Sequence, residues 1–235
     1  MNTSENNNKI SVVICTYNRV KFIKESLTCL AQQTLNKEDY EVIVVNNNCN
    51  DNTENLVNDF IEENPSYNYK QVFEKNQGLS FARNRGIQES KYNLICYIDD
   101  DGYAESNYLE TIQKIFHEHQ QYVGIGGRVI PIYESQEPAW YNPFLRMMVT
   151  SINFGETPFR CYGKKYPAGC SMTYKKETLI KAGGFNNALK WRADDKYIFH
   201  AARKISKEIY YRPELKVRHY IDKERITDKN FDRLS

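Results

Sequence analysis

Short apolar stretches alternate with amphipathic stretches three times in the first hundred residues, and this alternation constrains the fold more than any other feature. Because short connections between alternating strands and helices require parallel strands, we predict an α/β fold with a Rossmann-like, mostly parallel central sheet and helices on both faces. The predicted strands cover residues 10–15, 41–45, 71–73 and 94–98, and the predicted helices cover 20–33, a stretch from 53 onward, and 79–88.

The fourth predicted strand ends at three consecutive carboxylates and a glycine, Asp99–Gly102. Adjacent carboxylates repel one another, whereas a bound cation would remove that repulsion. Open α/β sheets bind ligands beyond the carboxyl ends of their strands, where the polar segments 16–19 and 46–52 also lie. We therefore predict a divalent-metal site that carries a phosphorylated substrate, since magnesium sites combine carboxylates with phosphate oxygens. Solvated turn acids are the structural alternative.

A segment punctuated by five prolines, from Pro131 to Pro167, follows a predicted helix over 106–116 and a predicted strand over 123–130. Long aromatic and proline-rich excursions within a compact domain are more often functional than passive. Trp140 and Tyr141 lie in this segment and are candidates for the wall of an acceptor site, although amphipathic aromatic side chains also serve in packing.

The remaining pattern predicts an extended stretch at 170–174, a helix at 177–182, a helix that starts near 194, and short strands at 209–211 and 215–217. No internal repeat or linker interrupts the chain. We therefore predict a disordered tail over 1–9 and a single domain over 10–235, in which 10–102 bind a nucleotide and 103–235 bind the acceptor and supply catalysis.

Composition excludes several classes of protein. The chain has 32 Lys and Arg against 30 Asp and Glu, and this net charge of +2 argues against a partner such as nucleic acid. No apolar run approaches the roughly 18 residues of a transmembrane helix, and the polar N-terminus is unlike a signal peptide. The six cysteines contain no C-x-x-C pair, which predicts reduced thiols in a cytoplasmic protein.

Four sequence blocks are informative through their order and spacing. They are V-V-I-C-T-Y-N-R at 12–19, V-I-V-V-N-N-N-C-N-D-N-T at 42–53, N-Q-G-L-S-F-A-R-N-R-G at 76–86 with Y-I-D-D-D-G at 97–102, and G-G-F-N-N-A-L-K-W-R-A-D-D at 183–195 with V-R-H at 217–219. Together they resemble family 2 glycosyltransferases, which implies the GT-A fold of nucleotide-diphospho-sugar transferases for nearly the whole chain.

The resemblance implies a nucleotide-diphosphate sugar donor, a Mg²⁺ or Mn²⁺ cofactor and a general base. Asp195 matches the general base, and Asp194 precedes it on the acceptor side. Asp101 and His219 match metal ligands. The positions that match nucleotide contacts are Thr16, Tyr17, Arg19, Asn46 and Asn48 for the base and ribose, Gly78 and Arg83 for the base and diphosphate, and Asp99 and Asp100 of the D-x-D region.

Three departures from the family pattern bear on these roles. Asn46 stands where the family often has an Asp that contacts the base, so a preference for uracil is weakened, and Asp194 replaces the usual Glu with a shorter side chain. The Gln-x-x-Arg-Trp motif of processive synthases is absent from the sequence. The resemblance therefore implies addition of one sugar per event.

The activity implied is inverting transfer of one sugar to a hydroxyl of a carbohydrate or lipid-linked acceptor. A carboxylate on the face opposite the leaving group takes the hydroxyl proton, so a single displacement inverts the anomeric centre. The resemblance further implies bacterial surface polysaccharide or lipopolysaccharide synthesis, with peripheral association at the inner face of the plasma membrane.

Two other functions stay open on the residues alone. Asp99-x-Asp101-Gly102 also resembles the start of a haloacid-dehalogenase-like phosphatase, but Tyr103 follows where that family has a small hydroxyl residue. A non-catalytic nucleotide-sugar-binding subunit is the second alternative. The individual residues have structural alternatives as well: helix capping for Asp194 and Asp195, packing for His219, and a surface ion pair for Arg83.

Overall fold

The computed structural model describes residues 8–135, 151–189 and 193–223. Its strands are β1 (Ile10–Thr16), β2 (Tyr40–Asn46), β3 (Tyr69–Phe73), β4 (Leu94–Tyr97), β5 (Gly102–Ala104), β6 (Gly124–Tyr133), β7 (Phe159–Arg160), β8 (Met172–Lys175) and β9 (Ile209–Ile221). Its helices are α1 (Ile23–Ala31), α2 (Thr53–Glu63), α3 (Leu79–Glu89), α4 (Tyr108–Glu118), α5 (Lys176–Lys181) and α6 (Asp194–Ile205), and a 3₁₀ turn covers Lys37–Asp39.

The strands of the first half form the parallel sheet that the alternation predicts. Their order is β3-β2-β1-β4, and the register pairs Thr16 at the end of β1 with Asn46 at the end of β2. Parallel strands that start and stop together deliver the residues after them to one edge. The polar segments that follow β1, β2 and β4 therefore share the carboxyl edge of the sheet.

Helices cover both faces of this sheet because side chains alternate along each strand. Val12 packs in a core with the apolar faces of α1, α2 and α4. Val13, its neighbour, packs in a second core with α3, α5 and α6. The close approach of α3 depends on Gly86, where an added Cβ would lie 2.4 Å from Cγ1 of Val13. The predicted fold class is confirmed.

The second half completes the sheet with strands of both directions. β8 runs antiparallel between β4 and β6, β6 runs parallel to β9, and β5 and β7 pair antiparallel with β9. Two short strands were expected at 209–211 and 215–217, and this was wrong, because β9 is continuous through Pro213. The register between β6 and β9 shifts near Gly127. Such an irregularity accommodates Pro213, which has no N–H to donate to the hydrogen bonds between the two strands.

The three-residue strand β5, which the sequence pattern did not predict, decides the register at the acidic cluster. Gly102 pairs with His219, and the N–H of Tyr220 donates to the carbonyl of Asp101 over 2.9 Å. A histidine more than a hundred positions away is thereby placed beside the aspartates. None of the helices in the described ranges has both the length and the apolar character needed to cross a bilayer.

Candidate functional site

Two arginines lie against the acidic residues that follow β4. Arg19, just beyond β1, forms an ion pair with Asp101, and its Nε lies 3.4 Å from Oδ1 of Asp100. Arg83, on α3, pairs with Asp194 at the start of α6, and its Nη2 lies 3.5 Å from Oδ1 of Asp99. The strand ends and two helices thus bring these predicted site residues into one charged cluster.

These ion pairs change the argument for a metal ion. We expected a bound cation to relieve the repulsion among Asp99, Asp100 and Asp101, but guanidinium groups already oppose part of it. With Asp194 and Asp195, the carboxylates of the cluster still outnumber these two guanidinium groups by five to two. A dication therefore remains electrostatically favourable.

Burial shifts the pKa values of the acids upward. Burial, followed by repulsion from Asp101, raises the pKa of Asp100 to about 7, although Arg19 opposes the shift. Burial also raises the pKa of Asp99, against the attraction of Arg83. Carboxylates that are costly to ionise without further positive charge are typical of ligand sites.

His219 contacts the acidic cluster directly. Its Nε2 lies 2.9 Å from Oδ1 of Asp101 and 3.9 Å from Oδ2 of Asp99. One donor atom from each of Asp99, Cys170 and His219 lies within 4.8 Å of the others. Oxygen and nitrogen donors at such spacing fit Mn²⁺ or a related divalent cation, and a carboxylate oxygen of Asp101 is adjacent.

Asp195 lies in the first turn of α6 and is partly exposed. Its Oδ2 accepts a hydrogen bond from the N–H of Gly169 over 3.2 Å, and its Oδ1 accepts one from the N–H of Lys196 over 2.7 Å. Burial raises the pKa of this carboxyl, and Arg83 opposes the shift. A carboxylate with a raised pKa, held by backbone donors, suits a general base.

Gly169 lets the side chains of Asp195 and Arg83 both approach the same peptide. A Cβ at this position would lie 2.5 Å from Nη2 of Arg83, while the Gly169 N–H donates to Asp195. Ala193, which immediately precedes α6, has a φ of 67°. An L-residue in the left-handed region is strained, and such strain is concentrated at functional sites.

A cavity of about 620 Å³ opens beside the end of β1 and the start of α3. Three predicted nucleotide-binding residues, Thr16, Tyr17 and Gly78, line it. Ser80 also lines it, and its buried hydroxyl has no hydrogen-bond partner among the described residues. An unpaired buried hydroxyl is costly, so this Oγ is available to a polar ligand.

Asn47 is a residue of the cavity wall that the sequence argument missed. Its Nδ2 donates to the carbonyls of Glu74 and Asn76 over 3.1 and 2.7 Å, and its Oδ1 accepts from the N–H of Gly78 over 2.7 Å. The side chain thereby holds the loop before α3 against the end of β2. Three consecutive asparagines marked the region, but only the folded structure shows that Asn47 is the one that lines the cavity.

The flanking asparagines are placed differently. Oδ1 of Asn46 accepts from the N–H of Cys49 over 2.9 Å, so this carbonyl oxygen stabilises the turn after β2. Asn48 is exposed, with a left-handed φ of 66°. Neither residue lines the 620 Å³ cavity. Trp140 and Tyr141, the predicted acceptor residues, lie outside the described residues.

Asn84 is a second residue that the sequence argument missed. Its amide donates to the carbonyl of Phe185 and accepts from the N–H of Phe185, each over 2.8 Å, and it also contacts Asn187. The loop that carries Asn187 and Leu189 to the cavity is thereby fixed to α3. The A-R-N-R-G block contains this residue, but its partner lies a hundred positions further along.

Comparison with known proteins gives consistent family and fold assignments. A model of glycosyl transferase family 2 matches residues 11–183. The chain is 23% identical over 198 residues to the glucosyl-dolichyl phosphate glucuronosyltransferase of Haloferax volcanii, covering 83% of this chain and 61% of that protein. It is 31% identical over 163 residues to the poly(ribitol-phosphate) beta-glucosyltransferase of Bacillus spizizenii, covering 66% of this chain and 25% of that protein. The chain spans less than two thirds of the length of these relatives.

Solved structures support the same fold. TarS of Staphylococcus aureus in complex with UDP superposes with a TM-score of 0.70 at 19% identity, over 96% of this chain and 63% of that one. The mannosyltransferase PcManGT of Pyrobaculum calidifontis in complex with GDP-Man and Mn²⁺ gives a TM-score of 0.70 at 18% identity, over 91% and 57%. At these identities the likeness establishes the fold, which is the predicted GT-A type.

Proposed function

This chain belongs to glycosyl transferase family 2, and from that premise we propose that it transfers one sugar from a nucleotide-diphosphate sugar to a hydroxyl acceptor, with inversion and with a divalent metal. The observation that carries the proposal is the joining of Asp99, Asp101, Arg19, Arg83 and His219 in one cluster. A site that combines carboxylates with guanidinium groups suits a metal-bound diphosphate, because the carboxylates attract the cation and the guanidinium groups attract the phosphates.

The proposed donor site is the cavity beside β1 and α3 together with this cluster. A volume of about 620 Å³ falls within the range of small-molecule sites. Thr16, Tyr17 and Gly78 would contact the nucleoside, with Arg19 and Arg83 toward the diphosphate. TarS and PcManGT have been solved with UDP and GDP-Man, and for this chain we propose a uridine or thymidine diphosphate sugar.

Asp195 is the proposed general base. Its carboxylate would accept the proton of the acceptor hydroxyl as that oxygen attacks the anomeric carbon and the nucleoside diphosphate leaves from the opposite face. The N–H groups of Gly169 and Lys196 hold the two carboxylate oxygens. A base in this role is typically worth about 10²–10⁴-fold in rate.

Arg83 and Arg19 would stabilise the charge that develops on the leaving diphosphate. Arg83 already bridges Asp99 to Asp194, next to the base, so it connects the donor and acceptor sides of the site. Asp99, Asp101 and His219 would hold the cation, whose chemistry is Lewis-acid neutralisation of the leaving group. Asp100, close to Arg19, would line the site of the nucleotide-sugar donor.

For the acceptor we propose a carbohydrate or lipid-linked hydroxyl of a bacterial surface polymer. Several relatives are named for transfer to poly(ribitol-phosphate), and they share 26–31% identity with this chain over about two thirds of its length. Trp140, Tyr141 and Asp194 remain the proposed acceptor residues. The proposed place of work is the cytoplasm, at the inner face of the plasma membrane.

A product assay across nucleotide sugars, with and without Mn²⁺, tests the proposal. Asp195→Asn should retain donor affinity while transfer falls by at least about 100-fold, because only the proton acceptor is lost. Asp59→Asn, an exposed acid on α2, is the matched control and should transfer normally. Unchanged turnover in Asp195→Asn would remove Asp195 from the mechanism.

Donor binding is tested separately by thermal unfolding. Uridine or thymidine diphosphates should raise the melting temperature when Mn²⁺ is present and much less in chelator, because the diphosphate and cation bind together. Equal stabilisation in both conditions would contradict metal-dependent binding. The family match leaves the phosphatase alternative without support, and the product assay separates an enzyme from a non-catalytic subunit.

A further inference from the structure

We infer that Cys170 supplies a sulfur ligand to the divalent cation, and that this gives the chain a preference for thiophilic cations such as Co²⁺ and Zn²⁺ over Mg²⁺. The inference rests on the metal-dependent function proposed above and adds a residue and a selectivity to it. It concerns one side chain that the sequence motifs do not single out.

The sheet register places Cys170 at the acidic cluster. β8 runs antiparallel to β4, with Met172 opposite Tyr97. Residues that precede Met172 therefore run alongside those that follow Tyr97, which brings Cys170 beside Asp99. On the other side of the cluster, the pairing of Gly102 with His219 brings the histidine to the same place.

The three donor atoms are close enough to share one ion. Those of Asp99, Cys170 and His219 all lie within 4.8 Å of one another. Ligands about 2.0–2.3 Å from a tetrahedral cation lie about 3.3–3.8 Å apart. The three side chains would therefore have to shift by about 1 Å for all their donor atoms to coordinate one ion. Nε2 of His219 also faces Oδ1 of Asp101 at 2.9 Å, which provides a further oxygen at the site.

The surroundings of Cys170 differ from those of Cys96 and Cys161, which are also buried. Cys96 and Cys161 pack inside the two hydrophobic cores, where cysteine acts as a small apolar side chain. Cys170 is only 3% exposed but belongs to neither core. The charged groups that act on its thiol are Asp99, Asp101, Asp195 and Arg83.

A nitrogen, oxygen and sulfur donor set has a defined metal preference. Mg²⁺ requires near-octahedral oxygen ligands and keeps several waters, so a thiol next to it contributes little. Imidazole and thiolate ligands favour Co²⁺ and Zn²⁺, and a thiol that coordinates such a cation is deprotonated, with its proton released to solvent. Mn²⁺ would bind mainly through the carboxylates and the imidazole.

Cobalt absorption spectroscopy tests the sulfur ligand without using activity. Metal-free protein titrated with Co²⁺ should show visible ligand-field bands together with a near-ultraviolet thiolate-to-cobalt charge-transfer band, both saturating at one equivalent. In Cys170→Ser the charge-transfer band should vanish, and Co²⁺ affinity should fall by at least about tenfold while Mn²⁺ affinity changes far less. Cys161→Ser, the matched buried control, should retain the band.

Three outcomes would overturn the inference: no Co²⁺ binding, Co²⁺ binding without the charge-transfer band, or a band that survives in Cys170→Ser. If Cys170→Ser does not fold, Asp99→Asn provides a second test, since losing the neighbouring carboxylate should weaken the same band. Intact transfer without the band would overturn only the role of Cys170. A band of the expected kind with no transfer to any acceptor would overturn only the proposed function.

Discussion

Breaking the ion pair between Arg83 and Asp194 tests how the charged cluster is stabilised. The side chains are 3% and 10% exposed, so neither charge has bulk water to replace its partner. Arg83→Met retains much of the apolar stem but leaves the Asp194 carboxylate buried without its cation. Removing one partner of a buried pair costs about 3–5 kcal/mol. We therefore expect the ratio of folded to unfolded protein to fall by at least about 100-fold.

Urea unfolding of the metal-free protein in chelator measures this cost. Arg85→Met is the matched control, because Arg85 lies on the same helix and pairs with Glu89, yet the two side chains are 34% and 30% exposed. Such an exposed pair contributes about 0–1 kcal/mol. The double variant Arg83→Met/Asp194→Asn removes both charges and should recover part of the stability that Arg83→Met loses.

Two results would refute this reasoning. If Arg83→Met lost no more free energy of unfolding than Arg85→Met, water or another group would be solvating Asp194. If the losses in free energy of unfolding of Arg83→Met and of Asp194→Asn, each measured alone, summed to the loss of the double variant, the pair would not be coupled. The proposed role of Arg83 as the link between the donor and acceptor sides would then fail.

Three further predictions follow from the site geometry. In the pH profile of kcat/KM, the pH at which activity falls on the acidic side should lie above the ordinary aspartate pKa, because burial raises the pKa of Asp195 and only its ionised form accepts a proton. Arg83→Met should move that pH still higher, because Arg83 opposes the rise in pKa. An acidic fall at the ordinary aspartate pKa would contradict the assignment of Asp195. Asn47→Ala should destabilise the fold by about 1–3 kcal/mol in urea unfolding and weaken donor binding, whereas Asn58→Ala, at an exposed amide, should do neither. Gly169→Ala should lower kcat more than it raises the KM for donor, because its Cβ would displace Arg83 next to Asp195, the proposed base. An unchanged kcat would show that the backbone can yield there.

The sequence by itself determined the class of fold and the positions of the strand ends. Apolar periodicity is a local property, so it located β1, β2, β4 and the helices between them to within a few residues. The rule that parallel strands present their carboxyl ends together then placed Thr16, Arg19 and Asp99 at one edge. The family blocks independently pointed to the GT-A fold.

The tertiary structure decided which charged groups meet. Arg19 pairs with Asp101 across 82 positions, and Arg83 pairs with Asp194 across 111. The pairing of β5 with β9 brings His219 to the aspartates, and the pairing of β8 with β4 brings in Cys170. A strand register cannot be obtained from local periodicity, because it depends on how distant segments pair and pack. The contacts on which the chemistry depends are therefore visible only once the sheet is assembled.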